Sequence, residues 1–465
     1  MKRQYYNNLQ NFLAIAADNW LRGNFKQEYF NQIAQDQFNQ FNQFFHAHQY
    51  RPQILLIESD PVQFLASFIA AVAAHCPIFL SNPHWQELEW QQVFQQIKPD
   101  IILGEITFHP PQTEKGNHHN LDNCIMIPTG GTSGQIKFAV HTWNTLTASV
   151  EGFQQYFKRL QIHSYCILPL YHVSGLMQFI RSFITGGQLV IQPFKAVNSG
   201  NFIKINPANF YISLVPTQLQ RLLQSPQTTQ WLSQFHTVLL GGAPAWPELL
   251  EQARADQIRL APTYGMTETA SQIATLKPEY FLAGYQNSGQ ILPHAQIKIF
   301  NDKGEILTNN NIGLVQIKAD SLMLGYYSQF FYPETRIKLL KTDDLGYLDK
   351  QQYLTIIGRN SEKIITGGEN VFPAEIEAVI RATGLVKEVC VIGLPNTEWG
   401  EIVTVVYTPL ISQNKLDYLK QNLIEKLSKY KHPKLWISVD EIPRNSQGKI
   451  NRQSLKKWAE SLNMD

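Results

Sequence analysis

Charge is scarce in this chain. Asp, Glu, Lys and Arg make up 16% of 465 residues, and 39 bases against 37 acids leave a formal net charge of +2. No basic stripe runs along any segment, which argues against a nucleic-acid surface. Cysteine is scarcer still. Cys76, Cys124, Cys166 and Cys390 stand far apart, with neither metal-ligand spacing nor a disulfide framework, so the expected compartment is reducing and cytoplasmic. The N-terminus, Met1-Lys-Arg-Gln-Tyr-Tyr-Asn, lacks the apolar core of a signal peptide. Phe64 to Leu80 is the most hydrophobic stretch and approaches membrane length, but His75 and Pro77 divide it. It therefore reads as a short buried helix and a short strand, with no stable membrane insertion. Missing too are a Ser/His/Asp nucleophile set, a metal-ligand cluster and a Walker loop, in which Gly-Lys-Ser/Thr would open a helix. His46, His48, His75, His118 and His119 read as surface or packing residues.

What is present centres on Ile125-Met-Ile-Pro-Thr129-Gly130-Gly131-Thr132-Ser133-Gly134-Gln-Ile-Lys137. The apolar run Cys124 to Ile127 reads as a buried strand that breaks at Pro128 into a loop. Glycine takes φ > 0 without steric cost, so such a loop can turn successive N–H groups toward one point. Thr129, Thr132 and Ser133 add hydroxyls, and Lys137 adds a point charge suited to phosphate. A polyphosphate ligand is implied. Phe138 to Thr142 reads as the next strand, with a helix from Trp143 toward Tyr156.

Around this loop, apolar runs alternate with helical periodicity. The first fifty residues carry one or two amphipathic helices. Strands at Ile54–Ile57, Ile78–Leu80 and Ile101–Leu103 alternate with helices at 61–74 and 85–97. Further strands fall at Tyr165–Leu168, Gln188–Gln192, Tyr211–Val215 and Thr237–Leu240. This is an α/β pattern with parallel or mixed sheets. Several strands end in Gly or Pro, where open α/β sheets place ligands. A loop, Pro262 to Gln272, gathers an aromatic ring, hydroxyls and the Glu268 carboxylate. From Gly289 the texture becomes β-rich, with a tight acidic turn at Thr342-Asp343-Asp344. A boundary is expected after Ile357. It gives a large domain, 1–357, and a small mobile α+β domain, 358–465, whose flexible loop Pro443 to Ile450 presents Lys449.

A phosphate loop, a carboxylate for Mg²⁺, a ring for a base, an acid for a ribose and mobile cations suit nucleotidyl transfer, where positioning and charge stabilisation do most of the work. Together these residues resemble the adenylate-forming family of acyl- and aryl-CoA ligases, luciferases and peptide-synthetase adenylation domains, in order from about Gln53 to Lys456. Tyr264-Gly-Met-Thr-Glu-Thr-Ala-Ser-Gln272, Ile365-Thr-Gly-Gly-Glu-Asn-Val-Phe-Pro-Ala-Glu-Ile-Glu377 and Pro169-Leu-Tyr-His-Val-Ser-Gly175 are most similar to its branch in quinone synthesis. The resemblance implies ATP, Mg²⁺ and coenzyme A acting on a small aromatic carboxylic acid, which becomes an acyl-adenylate and then a thioester. It places Thr129, Gly130, Gly131, Thr132, Ser133, Gly134 and Lys137 on the β- and γ-phosphates, Thr267 on the α-phosphate and Glu268 on Mg²⁺. Gly242, Ala243, Pro244 and Tyr264 would sandwich adenine, and Asp344 would take the ribose beside Arg359. Lys449 would bridge α-phosphate and attacking carboxylate. His172, Ser174, Thr217, Gly241, Ser271 and Gln272 would line the acyl pocket, His172 within reach of the chemistry. Gly367 and Gly368 would border the pantetheine channel, and Ser361 would be the hinge. Ile136, Asp343 and Glu362 depart from the family's usual Pro, Gly and Asp. The Asp343 departure leaves open which of the paired aspartates faces the ribose. Another aryl- or acyl-CoA ligase, a stand-alone adenylation domain loading a carrier protein, and a non-catalytic nucleotide-binding regulator are the competing readings.

Overall fold

The structure is a computed structural model that describes residues 9–15, 20–23, 27–106, 121–130, 135–329, 337–410, 416–444 and 450–462. Two of the expected site elements, Gly131 to Gly134 and Lys449, lie outside the described residues, as do His118 and His119.

Two sheets carry the expected alternation. In one, Ile54–Leu56 lies between Ile78–Leu80 and Ile101–Leu103, all parallel, and Ile78–Leu80 in turn pairs parallel with Cys124–Gly130. The helix Pro61–Ala73 packs its apolar residues against this sheet, capped by Asp60, whose carboxylate accepts from the N–H groups of Val62 and Gln63. The hydrophobic stretch at 64–80 is thus a buried helix and strand, and no described helix is long and apolar enough to cross a membrane. The second sheet orders its strands Leu21–Arg22, Leu189–Ile191, His163–Cys166, Phe210–Leu214, Thr237–Leu240, Leu260–Met266, Ser271–Thr275 and Gln290–Ile291. Its first six strands are parallel, and the last two return antiparallel. The helices Leu9–Ile15 and Gln27–His48 near the start of the chain bury Leu9, Phe12, Phe30 and Phe41 in the same core as Pro61–Ala73.

A four-stranded antiparallel sheet, Ala295–Phe300, Gly313–Ala319, Leu340–Leu348 and Leu354–Arg359, forms the β-rich part. Beyond it, Val386–Asn396 and Gly400–Pro409 form a long antiparallel pair. Pro373–Ala382, with Pro373 in its first turn, and Leu416–Lys426 pack on that pair around Ile376, Ile380, Val389, Val405, Leu419 and Leu423. All four cysteines are buried, and none forms a disulfide.

Three expectations need correction. Cys124–Gly130 does not break at Pro128; it continues as a strand paired with Ile136–Thr142 through Gly130↔Ile136. Pairing with Ile78–Leu80 stops at Met126, so Pro128 has a neighbouring strand on one side only, where a missing N–H spoils no ladder. Pro262–Gln272 is likewise not an open loop but the end of a hairpin, Leu260–Met266 against Ser271–Thr275, joined by one short turn, Thr267–Thr269. Asp343 and Asp344 sit within Leu340–Leu348 rather than in a turn, at a bulge: pairing with Gly313–Ala319 skips from Lys341 to Leu345, and pairing with Leu354–Arg359 begins only at Asp344.

Candidate active site

The short turn after Leu260–Met266 is held at four successive carbonyls. His141 Nε2 donates to Thr267 O at 2.8 Å, and Met323 N donates to Glu268 O at 2.9 Å. Ser321 Oγ reaches Thr269 O at 2.9 Å, and Ser149 Oγ reaches Ala270 O at 2.7 Å. The donors come from separate parts of the chain, so the turn is fixed by its surroundings rather than by its own sequence. It needs that support. Ala270 and Ser271 have φ of 50° and 89°, a left-handed pair of non-glycine residues that persists only where neighbours over-determine it. The result is a rigid mount for the Thr267 hydroxyl and the Glu268 carboxylate.

Tyr326 ties that mount to the hairpin. Its hydroxyl donates to Glu268 Oε1 at 2.7 Å, and Lys137 Nζ lies 5.4 Å above its ring. Lys137 stands directly across the hairpin from Thr129. A cation and hydroxyl suited to phosphate and a carboxylate suited to a hard metal thus meet at one ring. The donor set fits magnesium, which takes one or two carboxylates and fills the rest of its shell with water and substrate phosphate. It does not resemble an all-protein cage, and no cluster of three His, Cys, Asp or Glu residues occurs among the described residues.

A second group lies at the neighbouring strand ends. Leu240 pairs with Pro262, which sets the Gly241–Pro244 turn beside Thr263 and Tyr264. A Cβ on Gly241 would come 2.5 Å from Thr263 Oγ1, and Gly242 has φ of 82°, so both positions need glycine. Tyr264 donates its hydroxyl to Asp344 Oδ2 at 2.6 Å, and Arg359 Nε approaches Asp344 Oδ1 at 3.5 Å across the strand pair. Burial, and then the Asp344 charge, push the Tyr264 phenol far above its ordinary pKa, so it stays a neutral donor. Asp344 therefore faces this group, while Asp343 points away and accepts from the Ser361 N–H at 3.2 Å.

A third group forms under the acyl-pocket candidates. His172 caps the helix Val173–Ile184, which carries Ser174 in its first turn. Arg181, on the same helix and 2% exposed, donates through Nη2 to Ser271 Oγ at 3.0 Å and to Gln272 Oε1 at 2.9 Å. Its guanidinium lies 4.4 Å from the Phe153 ring centre. Burial lowers its pKa, yet the group keeps its charge at neutral pH. Among the described residues no carboxylate is ion-paired with it, and Arg181 Nε and Gln272 Nε2 are buried without a hydrogen-bond partner. Thr217 lies apart, exposed at the start of Pro216–Leu222. Gly367 and Gly368, with φ of 57° and 85°, make the two-residue turn between Ile364–Thr366 and Glu369–Val371 in the C-terminal sheet, against Trp399.

Arg181, His141 and Tyr326 were not among the expected site residues. Arg181 had a signal: it is the only charged residue between Arg159 and Lys195. His141 and Tyr326 act through partners far away in sequence and had none.

His141 makes stability depend on pH. Burial depresses its pKa to about 4, against about 6.5 in an unfolded chain. Between those values the unfolded state binds more protons, so stability is complete above about pH 6.5 and falls as pH drops toward 4. From about pH 7 to about pH 5 this one group costs about 2 kcal/mol. Denaturant melts at both pH values should show His141→Gln with a pH dependence shallower by that amount. Equal slopes would remove the assignment.

Residues 34–327 match the AMP-binding enzyme family, and residues 375–449 match the AMP-binding enzyme C-terminal domain. A 2-succinylbenzoate–CoA ligase of Oceanobacillus iheyensis is 36% identical over 350 residues, covering 72% of this chain and 70% of that protein. Among solved structures, the o-succinylbenzoate coenzyme A synthetase of Bacillus subtilis in complex with AMP aligns over 97% of this chain and 98% of that one, with TM-score 0.82 and 25% identity. A double mutant of that enzyme, bound with its product analogue OSB-NCoA, aligns over the same shares at 25% identity but with TM-score 0.64. A matched nucleotide-binding body, a matched C-terminal domain and a rigid phosphate-and-carboxylate mount at the strand ends lead to one conclusion: this chain belongs to the AMP-binding enzyme family.

Proposed function

We propose that this chain is an ATP-dependent acid–thiol ligase that activates 2-succinylbenzoate and passes it to coenzyme A, a step of menaquinone or phylloquinone synthesis in the cytoplasm. The substrate carries an aromatic ring, an aliphatic carboxylate that reacts and a ring carboxylate that does not. The observation that carries the reading is Arg181. It is a buried cation with no carboxylate ion-paired to it among the described residues, in contact with Ser271 and Gln272, with unfilled donors around it. A pocket for a fatty or simple aryl acid has no use for such a group, whereas an unreacting anion taken out of water requires one.

The first half-reaction forms a bond between the aliphatic carboxylate oxygen and the α-phosphorus of ATP, and pyrophosphate leaves. In this reading Thr129, Lys137 and residues 130–134 hold the β- and γ-phosphates, and Thr267 orients the α-phosphate. Glu268 holds Mg²⁺, which when bound neutralises charge on the phosphate oxygens. The Gly242–Pro244 turn and Tyr264 receive adenine, and Asp344, oriented by Tyr264 and Arg359, receives the ribose. His172, Ser174 and Gly241 border the acyl chain, with Thr217 toward the pocket's outer edge. Lys449 spreads its charge over carboxylate and phosphate as they approach. In the second half-reaction the coenzyme A thiol, entering beside Gly367 and Gly368, loses its proton, attacks the acyl carbon and displaces AMP. Lys449 and the glycine turn are needed at one place at different times, so residues 358–465 turn about Ser361 between the two steps. Incubation with ATP, coenzyme A and a panel of acids, followed by analysis for AMP, pyrophosphate and acyl-CoA, tests the reading. Product from 2-succinylbenzoate supports it, and product only from other acids refutes it.

A further inference from the structure

Ser361 and Glu362 are neighbours fastened to opposite sides. The Ser361 N–H donates to both Asp343 oxygens, at 3.2 and 3.3 Å, and its hydroxyl donates to Asp343 Oδ2. Asp343 belongs to the four-stranded sheet of the large body. One residue later, Glu362 Oε2 receives Arg452 Nε at 3.1 Å. Arg452 opens the helix Arg452–Leu462, and its Nη1 lies 2.6 Å from Glu377 Oε1 and 2.7 Å from Val391 O.

Glu377 is 3% exposed, a buried carboxylate between two guanidinium groups. Its Oε2 meets Arg381 Nη2 at 3.2 Å, and its Oε1 also accepts from Val391 N at 2.8 Å. Burial alone would raise its pKa, but the two arginines hold it below the ordinary range. A buried network satisfied this fully is rigid. It joins the helix Pro373–Ala382, the strand Val386–Asn396 and the helix Arg452–Leu462. It also reaches both working edges of the small body. Arg381 lies 5.7 Å from the ring of Trp246, two residues beyond the Gly242–Pro244 turn. Arg452 follows the Arg444↔Ile450 bridge that closes the base of the loop bearing Lys449, and Asn451 N donates to Pro443 O there at 3.3 Å.

We propose that Arg452 is a positioning residue: by tying Glu362 to Glu377 it confines the pivot to Ser361 and makes everything after it turn as one body, carrying the base of the Lys449 loop. This rests on the ligase reading, in which Ser361 is the hinge. Two structures of the Bacillus subtilis enzyme, with equal coverage, superpose on this chain to different degrees. In the ligase reading residues 358–465 serve two arrangements in turn. A body that serves two arrangements must keep its internal geometry through both.

Glu362→Gln removes the charge at the hinge end without touching the buried Glu377. It should lower kcat of acid-dependent ATP–pyrophosphate exchange through misalignment of the Lys449 loop, and of acyl transfer from supplied acyl-adenylate to coenzyme A through misalignment of the Gly367–Gly368 turn, on the order of tenfold each. KM for ATP and acid should stay within about twofold, because those sites lie on the large body, and the melting temperature should hold. In an Arg452→Lys background, which cannot keep the forked contact, the same change should cost nothing further. Additive losses, an unchanged kcat, or a drop in stability alone would overturn the clamp. If wild type shows no exchange with any acid, the ligase reading fails instead. Amide hydrogen exchange then decides the clamp separately. Glu362→Gln should speed exchange at 362–364 and leave Val386–Asn396 unchanged, and no difference there would also overturn it.

Discussion

Lys449→Ala should slow acid-dependent pyrophosphate exchange by about 10²–10³-fold, the loss of about 3–4 kcal/mol that follows removal of one preorganised group from a developing charge. The same variant should turn over supplied acyl-adenylate and coenzyme A at close to the wild-type rate. The asymmetry follows from when charge gathers. In adenylation an anionic carboxylate meets an anionic α-phosphate, and a cation between them lowers the barrier more than it stabilises the separate ground states. In thioester formation the leaving AMP already carries its charge away, and the proposed rotation would take Lys449 from the site. Measuring the two half-reactions separately checks the claim. Equal damage to both would mean that Lys449 supports the loop rather than the first transition state.

Arg181→Gln should cost about 10²-fold or more in kcat/KM for 2-succinylbenzoate, the scale of about 3 kcal/mol for leaving a buried charge without its partner. 4-Oxo-4-phenylbutanoate, the same acid without its ring carboxylate, should lose little. Glutamine keeps a donor for Ser271 Oγ, so the Ser271–Gln272 wall retains a neighbour while the positive charge disappears. The comparison between acids separates recognition from folding, since a collapsed pocket would lose both substrates alike. If the two acids fall together, Arg181 is a structural arginine that braces the start of Ser271–Thr275.

Many candidate site residues could be proposed from the sequence because they sit in contiguous stretches: Thr129 to Lys137, Tyr264 to Gln272 and Ile365 to Glu377 each carry several candidate groups within a few positions. The strands at Ile78–Leu80, Ile101–Leu103 and Thr237–Leu240 were equally plain, since short apolar runs bounded by Pro, Gly or polar residues have few other uses. What sequence could not show was partnership at a distance. His141 and Thr267 are 126 positions apart, and Tyr326 and Glu268 are 58 apart, so nothing in either segment announces the other. Pairing partners also decided where strands ended. Pro128 looked like a strand breaker and lies inside a strand because Phe138 is paired beside it, whereas Asp343 and Asp344 lie at a bulge in theirs. That bulge separates two aspartates that the sequence left alike. It turned Asp344 toward Tyr264 and Arg359 and sent Asp343 to Ser361.

The central claim is that this chain recognises an aromatic acid by its second, unreacting carboxylate. It is tested most directly by kcat/KM of the wild-type protein for 2-succinylbenzoate and for 4-oxo-4-phenylbutanoate, with Mg-ATP and coenzyme A saturating. A site built to bond a polar group rejects the analogue that lacks it far more strongly than an apolar pocket rejects a missing methylene. The account predicts a preference for 2-succinylbenzoate of at least about 10²-fold. Equal values for the two acids, or higher values for a fatty or cinnamic acid, would contradict it and leave the adenylation machinery serving some other substrate.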